Sequence, residues 1–240
     1  MKQKLLKAEL LNFSNKNNSK FANKLKINDE YAILGLKTQI IKNIAKNIYV
    51  NEKENHVKDF LSYKEPLFYE EVSTTYFYFS LLAKDLDFDT FIKMLNDLLK
   101  YNNSWATNDT LALAIKPNKK IIDLYFNYLK EKITSSNPWD IRFATVSLMK
   151  SYLEDNYIDQ TLEILSKVNN QEYYVEMALG WAFATALAKQ RDKTYPYLFE
   201  KKINPRVNKK AIQKSIESLR ISESDKIKLK QLREEVKLLI

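Results

Sequence analysis

Apolar residues recur every three to four positions through almost the whole 240-residue chain, the spacing that gives a helix one buried stripe. This periodicity predicts helices over 2–12, 18–26, 36–50, 54–62, 67–84, 88–100, 105–115, 118–134, 139–153, 157–168, 172–189, 192–202, 208–219 and 223–238. No stretch alternates strictly between apolar and polar residues inside turn boundaries, so no strand is expected. The punctuation agrees. "KEP" at 64–66 and "SSNP" at 135–138 put proline just ahead of or at a helix start, where its missing N–H is harmless. "DFDTF" and "SESDK" offer aspartate or serine as N-caps.

The helices fall into pairs. An apolar helix led by aromatics recurs as "PLFYEEVSTTYFYFSLLA" from 66, "PWDIRFATVSLMKSYL" from 138 and "EYYVEMALGWAFATALA" from 172. Each is followed by a shorter, more polar partner such as "DFDTFIKMLNDLLK" or "YIDQTLEILSKV". A spacing of roughly 35–40 residues per pair is that of HEAT-like repeats, which stack into an arc lined on its concave face by one helix of each pair. The expected fold is therefore all-α: a HEAT-like repeat α-solenoid, a C-shaped stack of antiparallel helix pairs. No linker or low-complexity run interrupts it, so residues 1–240 are expected to form a single domain.

Composition narrows the chemistry more than the fold. Two glycines and five prolines leave little turn material for a sheet protein. The absence of cysteine removes disulfides, thiolate nucleophiles and cysteine-based zinc sites together. A single histidine, His56, rules out histidine-rich metal centres and makes a Ser-His-Asp triad improbable. No metal or cofactor is expected. No run of 18 apolar residues occurs and the N-terminus lacks a signal-peptide hydrophobic stretch, so a cytoplasmic protein with no membrane partner is expected. We also expect a monomer.

The distribution of charge is more informative than the net +9. Residues 1–50 carry ten lysines and arginines against three acids, and residues 186–240 carry fifteen against seven. The middle, 51–185, carries fourteen against twenty. Two basic ends around an acidic middle suggest a curved molecule whose tips hold a polyanion, although a generally lysine-rich composition gives the same totals.

Charged residues on apolar helix faces are the ones to interrogate. Asp109, in "NNSWATNDTLALAI" (102–115), shares a face with Trp105, Ala112 and Leu113. Arg142 shares one with Trp139, Val146, Met149 and Leu153. Trp181 directly follows Gly180 in a helix that is apolar nearly all round. A glycine there costs about 1 kcal/mol relative to alanine, which points to close packing or ligand approach. A lone buried carboxylate costs several kcal/mol unless paired. Asp109 thus needs either Arg142, one repeat later, or a cationic ligand. A cation between aromatic faces and a carboxylate is a recognisable environment, but Trp105 and Trp181 equally suit a core. No GxxxxGK[ST], GxGxxG or HExxH motif is present. The acidic groups Glu70–Glu71 and Asp85–Asp87–Asp89 look like helix flanks in solvent, and Tyr173–Tyr174 could stack on a base or sugar.

At these residues the sequence resembles the AlkD-type DNA alkylation repair family, the HEAT-like glycosylases of bacteria. The resemblance runs from "YAILGLKTQIIKNIAKNI" (31–48), with Gln39 where proline is usual, to "NKKAIQKSIESLRIS" (208–222), similar to a C-terminal repeat whose basic helix start faces DNA. Between them "NNSWATND" is similar to the segment in which a Trp and an Asp stand four apart, "PWDIRFATVSLM" to that carrying an active-site Arg, and "YYVEMALGWAFATALAK" to that carrying a second active-site Trp. The resemblance implies a basic concave surface for duplex DNA and hydrolysis of the N-glycosidic bond of N3- or N7-alkylated purines, leaving an abasic site. Carried over by residue, Asp109 would stabilise oxocarbenium charge on the sugar and orient a water. Trp105 and Trp181 would face the cationic lesion or its sugar. Arg142 would bind a backbone phosphate, and Tyr173, Lys209, Lys210 and Lys214 would contact DNA. The chain departs from the family near Trp181, where Glu176 precedes and Phe183, Ala184 and Thr185 follow without charge. It is closer to a divergent branch. A DNA-structure binder without catalysis and a protein-interaction solenoid are the alternatives from the same fold.

Overall fold

The computed structural model describes residues 3–25, 30–51, 56–63 and 67–238. Among them the chain is helical throughout, with no strand and one isolated parallel bridge between Ala32 and Phe68. It divides into two compact units, one ending at Tyr125 and the other beginning at Phe126. The proline of "KEP" lies outside the described residues, as do the first residue expected at 2–12, the last at 18–26 and the first two at 54–62.

The first unit holds α1 (Gln3–Asn12), α2 (Lys16–Lys24), α3 (Thr38–Asn51), α4 (His56–Ser62), α5 (Tyr69–Leu82), α6 (Phe88–Leu99) and α7 (Trp105–Ala114). Helix α8 (Ile122–Lys132) carries the boundary between the units. The second unit holds α9 (Pro138–Ser151), α10 (Ile158–Ser166), α11 (Tyr173–Lys189), α12 (Arg191–Phe199), α13 (Pro205–Glu217) and α14 (Glu223–Lys237). Starts follow local chemistry. Asn15, Asp87, Ser104, Asn137, Asn204 and Ser222 each accept a backbone N–H of the following first turn, and Pro138 and Pro205 fill first-turn positions that need no donor.

Within each unit alternate helices form a row. In the first, α5 packs between α3 and α7; in the second, α11 packs between α9 and α13. The partner helices lie behind, with α4 against α5 and α6, and α12 against α10, α11 and α13. This is the helix-pair stacking that the repeat spacing implies. It also explains why α9 is buried from Ile141 through Met149 and why α11 is apolar nearly all round: a row helix meets neighbours on several sides. Aromatic contacts bind the layers. The ring of Phe91 stacks on Phe79 at 5.5 Å and meets Tyr125 edge-on at 5.4 Å, and Phe126 packs on Tyr152 at 4.9 Å. His56 is core as well, its Nε2 3.1 Å from Thr75 Oγ1.

Glu70 and Glu71 correct an expectation. Far from flanking α5 in solvent, they are both buried. The Glu70 carboxylate accepts the backbone N–H groups of Leu34, Gly35 and Leu36 at 3.0, 2.8 and 3.2 Å. Glu71 accepts Phe68 N–H at 2.7 Å and Gln3 Nε2 at 2.8 Å. The physical reason is a loop, residues 31–37, that runs over the start of α5 with no ladder to satisfy its amides. Gly35 makes that passage possible: its φ is +83°, and a Cβ would fall 2.4 Å from the Asn15 carbonyl oxygen. Asp87 caps α6, and Asp85 and Asp89 are exposed as expected. No helix among the described residues is long and apolar enough to cross a membrane.

Candidate functional site

Helix α7 presents the first pair of residues. Ser104 caps it by accepting Thr107 N–H at 3.2 Å, which makes Trp105 the first helical residue and sets Asp109 one turn later on the same side. The entry to the helix is fixed from α5: Tyr76 Oη donates to Asn102 Oδ1 at 2.8 Å. Trp105 is only partly covered, whereas Asp109 is 8% exposed and flanked by buried Ala106, Asn108 and Ala112. The helix is rigidly placed by its cap and its packing on α5, so the Trp105–Asp109 spacing is built into the scaffold.

In the second unit Arg142 is 5% exposed. Its Nη1 donates to the Tyr174 carbonyl at 2.6 Å, tying α9 to the first turn of α11. The Trp139 ring lies 5.4 Å from that of Tyr174, closing the same junction. A guanidinium has five N–H donors in a fixed fork, and the Tyr174 bond orients the plane. Tyr173 points the other way. It is 58% exposed, meets Tyr174 edge-on, and carries Lys210 Nζ 4.8 Å above its ring.

The junction of α11 with α13 brings the remaining predicted residues together. A Cβ on Gly180 would lie 2.7 Å from Lys210 Cβ, so the glycine serves close helix packing. Glu176, which the family resemblance marks as a departure, is buried and receives Arg206 Nε at 2.6 Å and Lys210 Nζ at 3.7 Å. Helix α13 turns Val207, Ala211, Ile212 and Ser215 inward. Its other side, with α14, lines a basin of about 720 Å³ carrying Arg206, Lys209, Lys210, Lys214, Arg233 and Lys237. Six cations against Glu176 and Glu217 leave this basin net positive. Arg206 in the first turn of α13 opposes the helix dipole, and Glu176 offsets it.

Trp181 is partly covered and lines a smaller pocket of about 350 Å³, shared with Lys214 of α13. Sequence reasoning missed Arg206, Arg233 and Lys237, although both Arg206–Lys210 and Arg233–Lys237 have the four-residue spacing of one helix face. Among the described residues no three His, Cys, Asp or Glu side chains converge to hold a metal ion. The profile of a protein family described as DNA alkylation repair enzyme matches residues 6–219 of the chain. No curated protein matches it.

Proposed function

The chain belongs to the DNA alkylation repair enzyme family, and we propose that it is a DNA glycosylase that releases cationic N3- or N7-alkylated purines from duplex DNA and leaves an abasic site. Alkylation at those ring nitrogens leaves the base formally positive and already a good leaving group, so no strong general acid is needed. Breaking the glycosidic bond develops positive charge on the sugar. A preorganised carboxylate in a water-poor setting is the group that best stabilises such charge. Asp109 takes that role and orients the attacking water. The observation that carries this reading is α7 itself: a nearly buried carboxylate one turn from the partly covered face of Trp105.

The other residues take supporting roles. Aromatic faces attract a cation by about 0.5–2 kcal/mol, the larger values when desolvated, and Trp105 and Trp181 offer such faces to the lesion or its sugar. Arg142 contacts a backbone phosphate with its guanidinium fork, whose plane the Tyr174 carbonyl orients. Tyr173 stacks on an exposed sugar or base, and Lys209, Lys210 and Lys214 hold the phosphate backbone. The protein acts as a monomer and without a metal or cofactor.

The basic basin of α13 and α14 also favours a second reading, in which the chain holds DNA without excising bases. Incubation of the purified protein with methylated duplex DNA separates the two. The glycosylase releases 7-methylguanine or 3-methyladenine, and release no faster than the spontaneous rate removes the proposal.

A further inference from the structure

The pocket beside Trp181 takes its charge from the far side. Trp181, Ala184 and Thr185 of α11 form one wall, and Lys214, Ser218 and Arg220 form the other. Helix α11 is uncharged from Met177 through Ala188. Arg220 reaches the pocket from the turn that ends α13, where Ser218 Oγ accepts Arg220 N–H at 3.2 Å. Buried Ile221 anchors the other side of the turn.

Ion pairing separates these two cations from most of their neighbours, Lys209 excepted. Arg191, Arg206, Lys210, Arg233 and Lys237 each have a carboxylate within 4.0 Å. Lys214 and Arg220 have no carboxylate partner among the described residues. Glu217, on the same wall, has its carboxylate engaged by Gln213 Nε2 at 2.6 Å. Two unpaired cations, two hydroxyls, an indole and the Glu217 carboxylate therefore share one pocket, which keeps a net positive charge. A guanidinium fork suits two oxygens on one centre, and a lysine adds a mobile point charge. A phosphodiester supplies both oxygens and carries a sugar that an indole face can pack against. Ser218 Oγ accepts from Arg220 and retains its own proton to donate.

We propose that Lys214 and Arg220 grip one backbone phosphate of the strand at Trp181, with Thr185 and Ser218 as additional donors; this rests on the chain being a DNA-directed repair protein. Arg220 is a positioning residue. It fixes the register of the strand against the Trp181 face and takes no part in bond breaking.

The test is binding to a duplex with one tetrahydrofuran abasic analogue, in which each phosphate of that strand is replaced in turn by neutral methylphosphonate. At one position the replacement weakens wild-type binding roughly tenfold or more, as loss of a charge-assisted hydrogen bond does, and weakens Arg220→Gln clearly less, since Lys214 alone remains on that phosphate. The slope of log affinity against log salt falls by about 0.9, the share of one phosphate, in the double variant Lys214→Gln/Arg220→Gln, and by less in either single variant. The charge-matched control Lys228→Gln on α14 shows no such coupling to any one phosphate. Wild-type affinity and slope in both pocket variants, or additive losses at every position, overturns the proposal. So does failure of the wild-type protein to bind the duplex. Displacement by millimolar inorganic phosphate with no dependence on strand position assigns the pocket to a free anion and also overturns it. Base release by the same proteins is read separately: coupling without release removes the glycosylase reading alone, and release without coupling removes the phosphate grip alone.

Discussion

Gly180 of α11 and Lys210 of α13 approach so closely that a Cβ on the glycine would lie 2.7 Å from Lys210 Cβ and 3.2 Å from the Ala211 amide nitrogen. These atoms belong to the backbone or to the first side-chain carbon, so no flexible tip can swing aside. Gly180→Ala gains about 1 kcal/mol of helix propensity and meets an overpacking cost of about 1–3 kcal/mol. A net loss of stability is expected, larger for Gly180→Val, read as a lower urea midpoint with unchanged m-value. The same variants weaken DNA binding, because α13 carries Lys209, Lys210 and Lys214.

Glu176 and its two cations give an asymmetric prediction. The carboxylate is buried, whereas the Arg206 side chain is half exposed. Removing the acid, as in Glu176→Gln, leaves cations that can turn to water. Removing Arg206 and Lys210 together leaves a buried carboxylate without its partners, the situation that costs about 3–5 kcal/mol when a buried pair is broken from one side. The double variant Arg206→Gln/Lys210→Gln is therefore expected to unfold at clearly lower urea than Glu176→Gln. Equal losses would contradict the assigned burial.

Glu70 is the single acceptor for three consecutive backbone N–H groups. Leaving a buried donor unsatisfied costs about 1–3 kcal/mol. Glu70→Ala is expected to lower stability by at least about 3 kcal/mol and to speed amide exchange at Leu34, Gly35 and Leu36. Exchange at wild-type rates would show that the carboxylate does not hold the loop.

The acid limb of stability carries a signature of α12 and α14. The Arg191 guanidinium, bonded to both Asp225 oxygens at 2.8 and 2.7 Å, brings the Asp225 carboxyl down to about 2, and Ser222 Oγ assists. Folding lowers this group's proton affinity, so its contribution is fully present above the unfolded value of about 3.9 and is lost as pH falls through about 2. Asp225→Asn should reduce stability at neutral pH and flatten the fall of melting temperature between about pH 4 and pH 2. An unchanged acid limb would show that other carboxylates govern it.

Helix existence was readable because periodicity survives burial of one face or several; the starts depended on caps. Asn204 and Pro205 begin α13 three residues before the periodicity does, and Asn118, accepting Lys120 and Ile121 N–H, delays α8 to Ile122. Trp105, Asp109, Arg142 and Trp181 stood out as residues in the wrong company on a helical wheel. The partners of Glu70 and Glu176 did not, because a buried acid looks like a surface acid until the loop or helix some 30 residues away is seen to supply its donors. Arg220 was hidden for a related reason: a turn delivers it to the pocket, and turns leave no periodic trace.

Single-turnover base release separates a catalytic Asp109 from one that only completes the packing of α7. Wild-type protein and Asp109→Asn are incubated in excess over duplex DNA containing a single 7-methylguanine, and release of the free base is followed in a single turnover. We expect release well above the spontaneous rate for wild type, a loss of about 10²-fold or more in the variant, and duplex affinity close to wild type in the variant. Equal rates for the two proteins, or no enzymatic release from either, would contradict the account.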